Sequence, residues 1–180
     1  KLCEKGLIAI EINDCNPIVF TELLYNNMFD KLTIEEIVAV LACNIEMKMN
    51  NHIVNSISLL NLTENSKNVL YQIQDINNDF QYFEDLKYNV KTDANYKIYL
   101  EFIEPVFMWI SGCSIKDILQ KFDIYEGNFV RGILRLNSIC EDIIKICENT
   151  KNYDLMKKFE GIEEKLIRDV TTINSLYITK

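Results

Sequence analysis

Phe129, Ile133, Leu136, Cys140, Ile143 and Cys147 recur at steps of three and four, and this run constrains the fold more than any other feature of the chain. Such spacing marks one apolar face of an α-helix. The segment Glu126 to Asn149 therefore predicts a rod about 35 Å long at 1.5 Å per residue. At 100° per residue, Arg131, Arg135, Ser138, Asp142 and Lys145 fall on the opposite side within an arc of about 80°. A rod of this kind must bury its apolar face against other elements. Those elements are helices, because Gly 5 and Pro 2 are about a third of the usual share and too few for turn-dense β architectures.

The remaining segments read accordingly. Lys5 to Ile12 is apolar and partly alternating, which reads as a short strand, and Asn13, Asp14, Asn16 and Pro17 close it. Val19, Leu23, Leu24 and Met28 then take helical spacing. Thr33-Ile-Glu-Glu36 is a capping box opening a second helix. From Met47 to Asn61 the chain is Asn-rich and reads as a loop with a helical turn around Ile53 to Leu60. Leu70, Ile73, Ile76, Phe80 and Phe83 predict a long helix over Glu64 to Lys87, followed by the polar break Lys91 to Asn95. Tyr96 to Ile110 reads as a helix kinked at Pro105, ended by Gly112. Ser114 and Asp117 cap a short helix, Ile115 to Phe122. After the long rod, Tyr153 to Asp169 predicts another helix and Thr171 to Ile178 a last turn or short helix. The expected fold is an all-α bundle of about seven helices around one long central helix.

Charge and cysteine usage narrow the function classes. Lys plus Arg number 19 against 27 Asp plus Glu, a net charge of −8, so strong free-standing affinity for a polyanion is not expected. No apolar run approaches the roughly 20 residues of a membrane span, and Glu4, Lys5 and Glu11 interrupt the opening stretch. Neither a signal peptide nor an anchor is expected. The cysteines at 3, 15, 43, 113, 140 and 147 contain no CxxC pair and no His partner at finger spacing. They read as small buried hydrophobes in a reducing, intracellular setting, with no metal.

Candidate catalytic groups are sparse. The single histidine, His52, lies in the polar Asn-rich loop, where an exposed loop residue is the simpler reading than a base beside a nucleophile. Glu35 with Glu36, or Glu101 with Glu104, offers a carboxylate pair, but such neighbours serve more often as first-turn dipole partners. No Gly-rich phosphate cradle occurs, so this chain alone is not expected to hydrolyse a nucleotide. Phe102, Phe107, Met108 and Trp109 form an aromatic cluster that reads as core rather than as a stacking platform. Arg131 and Arg135 lie one turn apart with Ser138 a turn further on. They make either a solvated face or a donor ladder for the bases and phosphates of a single strand.

Several blocks resemble one family. Lys5-Gly6 with Glu11-Ile12, Thr21 to Asn26 with Phe29, and Leu32 to Cys43 are similar to the opening of the DSHCT domain, the C-terminal helical module of superkiller-type and exosome-associated DExH-box RNA helicases. Pro105 to Trp109 with Gly112, Tyr125-Glu-Gly127, Arg131 and Arg135-Leu136 resemble its centre. Arg168 to Val170 and Ser175 to Ile178 resemble its end. One departure stands out: Asn137 and Ser138 follow the Arg-Leu pair, where the family usually has acidic residues, and Glu141 and Asp142 come a turn later.

The resemblance implies a part in a larger machine. Two RecA-like motor domains would bind ATP and magnesium upstream, a winged-helix domain would follow, and this module would close around single-stranded RNA. Residues 1–16 would be the tail of the winged-helix-like region and 17–180 the DSHCT-like domain. Gly127 to Asn149 would be the ratchet helix that supports 3′ to 5′ movement, with Arg131, Arg135 and Ser138 facing RNA. Implied partners are single-stranded RNA, bound weakly by the module alone, the motor and winged-helix domains of the same protein, and exosome-type RNA decay machinery. The alternative is a stand-alone helical module that offers a groove to a partner protein and has no role with RNA.

Overall fold

The computed structural model describes residues 3–49, 54–88 and 94–168. His52, the stretch 91–93 and the expected last turn, Thr171 to Ile178, lie outside them. The described residues form nine α-helices and no strand: α1 (Glu4–Ala9), α2 (Pro17–Tyr25), α3 (Ile34–Leu41), α4 (Glu64–Tyr82), α5 (Ile103–Ile110), α6 (Ile115–Phe122), α7 (Glu126–Thr150), α8 (Tyr153–Lys158) and α9 (Ile162–Ile167).

Local chemistry explains most of the boundaries. Pro17 occupies the first position of α2, where its missing N–H costs nothing, and the Asn16 side chain accepts from the Ile18 and Val19 amides. At the start of α3, Thr33 Oγ1 accepts from the Glu36 amide (3.3 Å) while Glu36 Oε2 accepts from the Thr33 amide (2.8 Å). The other oxygen of Glu36 accepts from the Thr63 hydroxyl, which itself caps α4. One buried carboxylate thus joins two helix starts. Ser114 caps α6 with Asp117, and Gly112 takes the positive φ of 101° needed between α5 and α6.

Helix α3 runs through the centre, with Ile37 to Cys43 all fully buried. Helix α5 packs along it, and α7 lays its apolar face on the same core. Phe129 of α7 meets Phe102 and Trp109 edge-on, with ring centroids 5.8 and 5.5 Å apart. Phe102 and Trp109 are fully buried, as expected of core residues, whereas Phe107 and Met108 are half-buried at its margin. Trp109 Nε1 donates to the Leu166 carbonyl (2.9 Å), and the Arg168 guanidinium sits 4.0 Å over the indole ring, tying the end of α9 to α5.

Three expectations need correction. Lys5 to Ile12 is not a strand, because Ile8 and Ile12 stand four apart and both are buried when Glu4–Ala9 coils into α1. Lys5 secures α1 to α2 through Glu22 (2.6 Å) and lies 4.8 Å over the Tyr25 ring. Pro105 does not kink a helix running from Tyr96. Residues 94–100 form no helix, α5 begins at Ile103, and Pro105 falls in its first turn, where no intrahelical donor is needed. That segment is held just beyond the end of α3 by Tyr99 N donating to Cys43 O (2.8 Å). Tyr153 to Asp169 is likewise two helices, α8 and α9, separated at Gly161 with a φ of 72°.

Lys158, at the end of α8, reaches across to three carbonyls between α2 and α3: Phe29 O (3.1 Å), Asp30 O (2.7 Å) and Leu32 O (3.0 Å). Hydrogen bonds from a charged donor are among the stronger ones. Lys158→Met, which keeps the aliphatic stem, is expected to lower unfolding free energy by about 1–2 kcal/mol in urea titrations. An unmoved midpoint would show that water replaces the ammonium at no cost.

Candidate nucleic-acid interface

The polar edge of α7 begins at Asn128 and Arg131, and both arginines emerge on it exposed to solvent. Together they line a hollow of about 280 Å³ whose other wall is the non-helical stretch Ile45, Glu46, Met47 and Lys48. Arg135 also lines a second hollow of about 360 Å³, walled by Asn13 to Ile18, Asn44, Ala94, Asn95 and Lys97. One guanidinium therefore stands between two adjoining hollows. It is steadied there by Asp14, whose backbone carbonyl accepts from Nη2 (3.1 Å) and whose carboxylate lies 3.8 Å from Nε.

Farther along α7 the polar edge is covered. The Asn13 amide donates to Asp142 Oδ2 (2.9 Å), its side-chain nitrogen reaches both Asp142 oxygens (3.2 Å), and Asn149 Nδ2 donates to Glu11 Oε1 (3.1 Å). Positions 135, 142 and 149 are seven apart and share one line on the helix, so residues 11–14 run antiparallel to α7 along that line. Asp142, placed by periodicity on the stripe opposite the apolar face, is consequently buried, only 5% exposed. Ser138 is half-buried and lines neither hollow.

The structure thus brings Arg131 and Arg135 together and leaves Ser138 aside. Sequence reasoning missed Lys48, Asn128, Lys97 and Asp14. Asn128 was within reach, since three steps of 100° put it beside Arg131. The other three lie outside any helix, where no periodicity marks a facing direction.

Gly132, between the arginines, is buried within α7. A Cβ there would lie 2.6 and 2.7 Å from the Phe102 ring and 2.9 Å from Met47 Cε. Its lack of a side chain lets the core pass directly beneath the cationic edge.

The family model of the DSHCT (NUC185) domain matches residues 1–173. The chain belongs to the DSHCT family. This DSHCT domain is 27% identical over 180 residues to the exosome RNA helicase MTR4 of Homo sapiens, covering 97% of the chain and 16% of that protein. It is 26% identical over 180 residues to the DExH-box ATP-dependent RNA helicase DExH10 of Arabidopsis thaliana, with 97% and 17% covered. It is 28% identical over 177 residues to an uncharacterized helicase of Schizosaccharomyces pombe, again with 97% and 17% covered. The domain spans about a sixth of the length of these relatives.

The other candidate groups of the DSHCT domain have structural uses. Glu36 spends both oxygens on helix starts, and Glu104 accepts from the Asn61 amide (2.6 Å). Burial pushes the Glu35 carboxyl upward, but its backbone hydrogen bond, Lys165 and Thr33 outweigh that and hold it below its ordinary value. A proton donor at neutral pH needs the reverse. Burial pushes the Cys43 thiol up to about 12, and burial beside Glu148 pushes Cys147 up to about 11. Burial also raises Cys15 and Cys140 well above the ordinary thiol range, so these four favour the unreactive thiol. Among the described residues no group of His, Cys, Asp and Glu is arranged to hold a metal ion, and no helix is long and apolar enough to cross a membrane.

Proposed function

We propose that this DSHCT domain lines the single-stranded RNA path of an intracellular ATP-dependent helicase and supports unwinding in RNA processing and decay. One observation carries the reading: Arg131 and Arg135 stand side by side and exposed over one hollow, on a helix whose opposite face is sealed into the core. The relatives add the context, since those matched along nearly the whole chain include an exosome RNA helicase and a DExH-box ATP-dependent RNA helicase. ATP and magnesium belong to motor domains elsewhere in the parent protein, and residues 1–16 lead in from its winged-helix-like region. An acidic domain can serve here because the motor domains supply most of the grip on phosphate, while this one supplies a few side chains. An exosome-type decay complex is the natural partner of such a machine.

The two guanidiniums suit stacking on bases or bidentate contact with phosphate, each contact being worth about 1–3 kcal/mol where a base stacks. Arg131→Ala with Arg135→Ala in the full-length helicase is expected to slow unwinding of a tailed duplex about tenfold, equivalent to about 1.4 kcal/mol. Thermal stability should change little, because the ion pair lost with Asp14 is at the surface. Unchanged unwinding and unchanged RNA crosslinking at α7 would refute the proposal.

A further inference from the structure

The covering of α7 by residues 11–14 decides the direction in which a strand can pass. Beyond Arg135 the polar edge is occupied by Glu11 and Asn13, which are hydrogen-bonded to Asn149 and Asp142. Asp142 there is already paired, lying 3.7 Å from Lys145 Nζ and accepting from Asn13, so among the described residues that stretch of the edge offers a strand no unengaged cation beyond Arg135. Among the described residues, the two hollows lie to either side of Arg135. Their walls contribute Lys48, Arg131, Arg135 and Lys97 against Glu46 and Asp14, a local charge of 4 − 2 = +2 in a chain whose net charge is −8.

The two lysines come from neighbouring stretches. Lys48 lies in the segment that leaves α3, Lys97 lies in the non-helical segment 94–100, and the bond from Tyr99 N to Cys43 O holds the two segments together. Both side chains are exposed.

We infer that single-stranded RNA crosses α7 at Arg135, passing from the Lys48–Arg131 hollow into the Lys97 hollow, rather than following the helix toward Asn149. Lys48 and Lys97 are then further phosphate-binding residues, one on each side of the crossing. This rests on the RNA-lining reading above.

Salt dependence supplies the test, because each phosphate neutralised on a single strand contributes about 0.7 to the slope of log affinity against log salt. Binding of a short single-stranded oligouridylate to the full-length helicase would be measured across a salt series. Lys48→Ala with Lys97→Ala is expected to flatten the slope by about 1.4. Lys48→Arg with Lys97→Arg should restore it, and Lys116→Ala on the exposed face of α6 should leave it unchanged. If the double lysine variant keeps the parental slope while Arg131→Ala flattens it, the crossing path is wrong and the RNA-lining role stands. If neither variant changes the slope, both fail.

Discussion

Replacing Phe129 with Ala is expected to lower the unfolding free energy of this domain by about 3–5 kcal/mol, the usual cost of deleting a fully buried ring. The side chain has no exposed surface and is the point where α7 meets α5, edge-on to Phe102 and Trp109. Its loss removes apolar burial and two aromatic contacts, each of the kind worth about 0.5–1.5 kcal/mol beyond area. The cavity that remains is walled by α3, α5 and α7, which cannot collapse together without disturbing the α9 contacts of Trp109. Urea titration of the domain, read by tryptophan fluorescence, should show an earlier midpoint with little change of slope. A shift worth under about 1 kcal/mol, typical of a surface substitution, would mean that Phe129 is not the keystone described here. Phe129→Leu should recover part of the loss.

Gly132→Ala separates helix propensity from packing because the two predict opposite signs. In an exposed helix interior the change would stabilise by up to about 1 kcal/mol. Here the added methyl would meet the Phe102 ring at 2.6 Å and Met47 Cε at 2.9 Å. Met47 ends in a flexible tip that can swing away, whereas Phe102 is fully buried and locked between helices. Overpacking of this sort costs about 1–3 kcal/mol, so Ala should be net destabilising by about 1–2 kcal/mol, and Val, with two further methyls, by more. A double-mutant cycle with Phe102→Leu should show positive coupling, with Gly132→Ala costing less where the ring has been trimmed. An Ala variant more stable than the parent would put Gly132 on an open face. Since Gly132 lies between Arg131 and Arg135, displacement of Phe102 would also tilt the cationic edge.

Capping residues and the apolar face of α7 were legible in the chain because each depends on near neighbours. Thr33 and Glu36 are three residues apart, as are Ser114 and Asp117, and the bonds they make follow directly. The failures have equally local causes. Ile8 and Ile12 fit a helix as well as an alternating strand, and the neighbouring α2 and α7 favoured the helix. Pro105 breaks a helix only when a helical turn precedes it, and residues 94–100, which Tyr99 ties to Cys43, form none.

The sequence by itself determined the helical class, the starts of α3, α4 and α6, and the side of α7 that is buried, because interactions within a few residues and a 3.6-residue period decide them. Which part of the opposite side stays open was decided by tertiary structure alone. Arg135 meets Asp14 across 121 positions and Asp142 meets Asn13 across 129, and no local pattern encodes a cover that arrives from so far along the chain. Lys48 and Lys97 reach the same edge from non-helical segments joined by the bond from Tyr99 N to Cys43 O. Chain entropy spent on closing these long loops is recovered only in the assembled bundle, where Arg131 and Arg135 come to lie exposed on one rim.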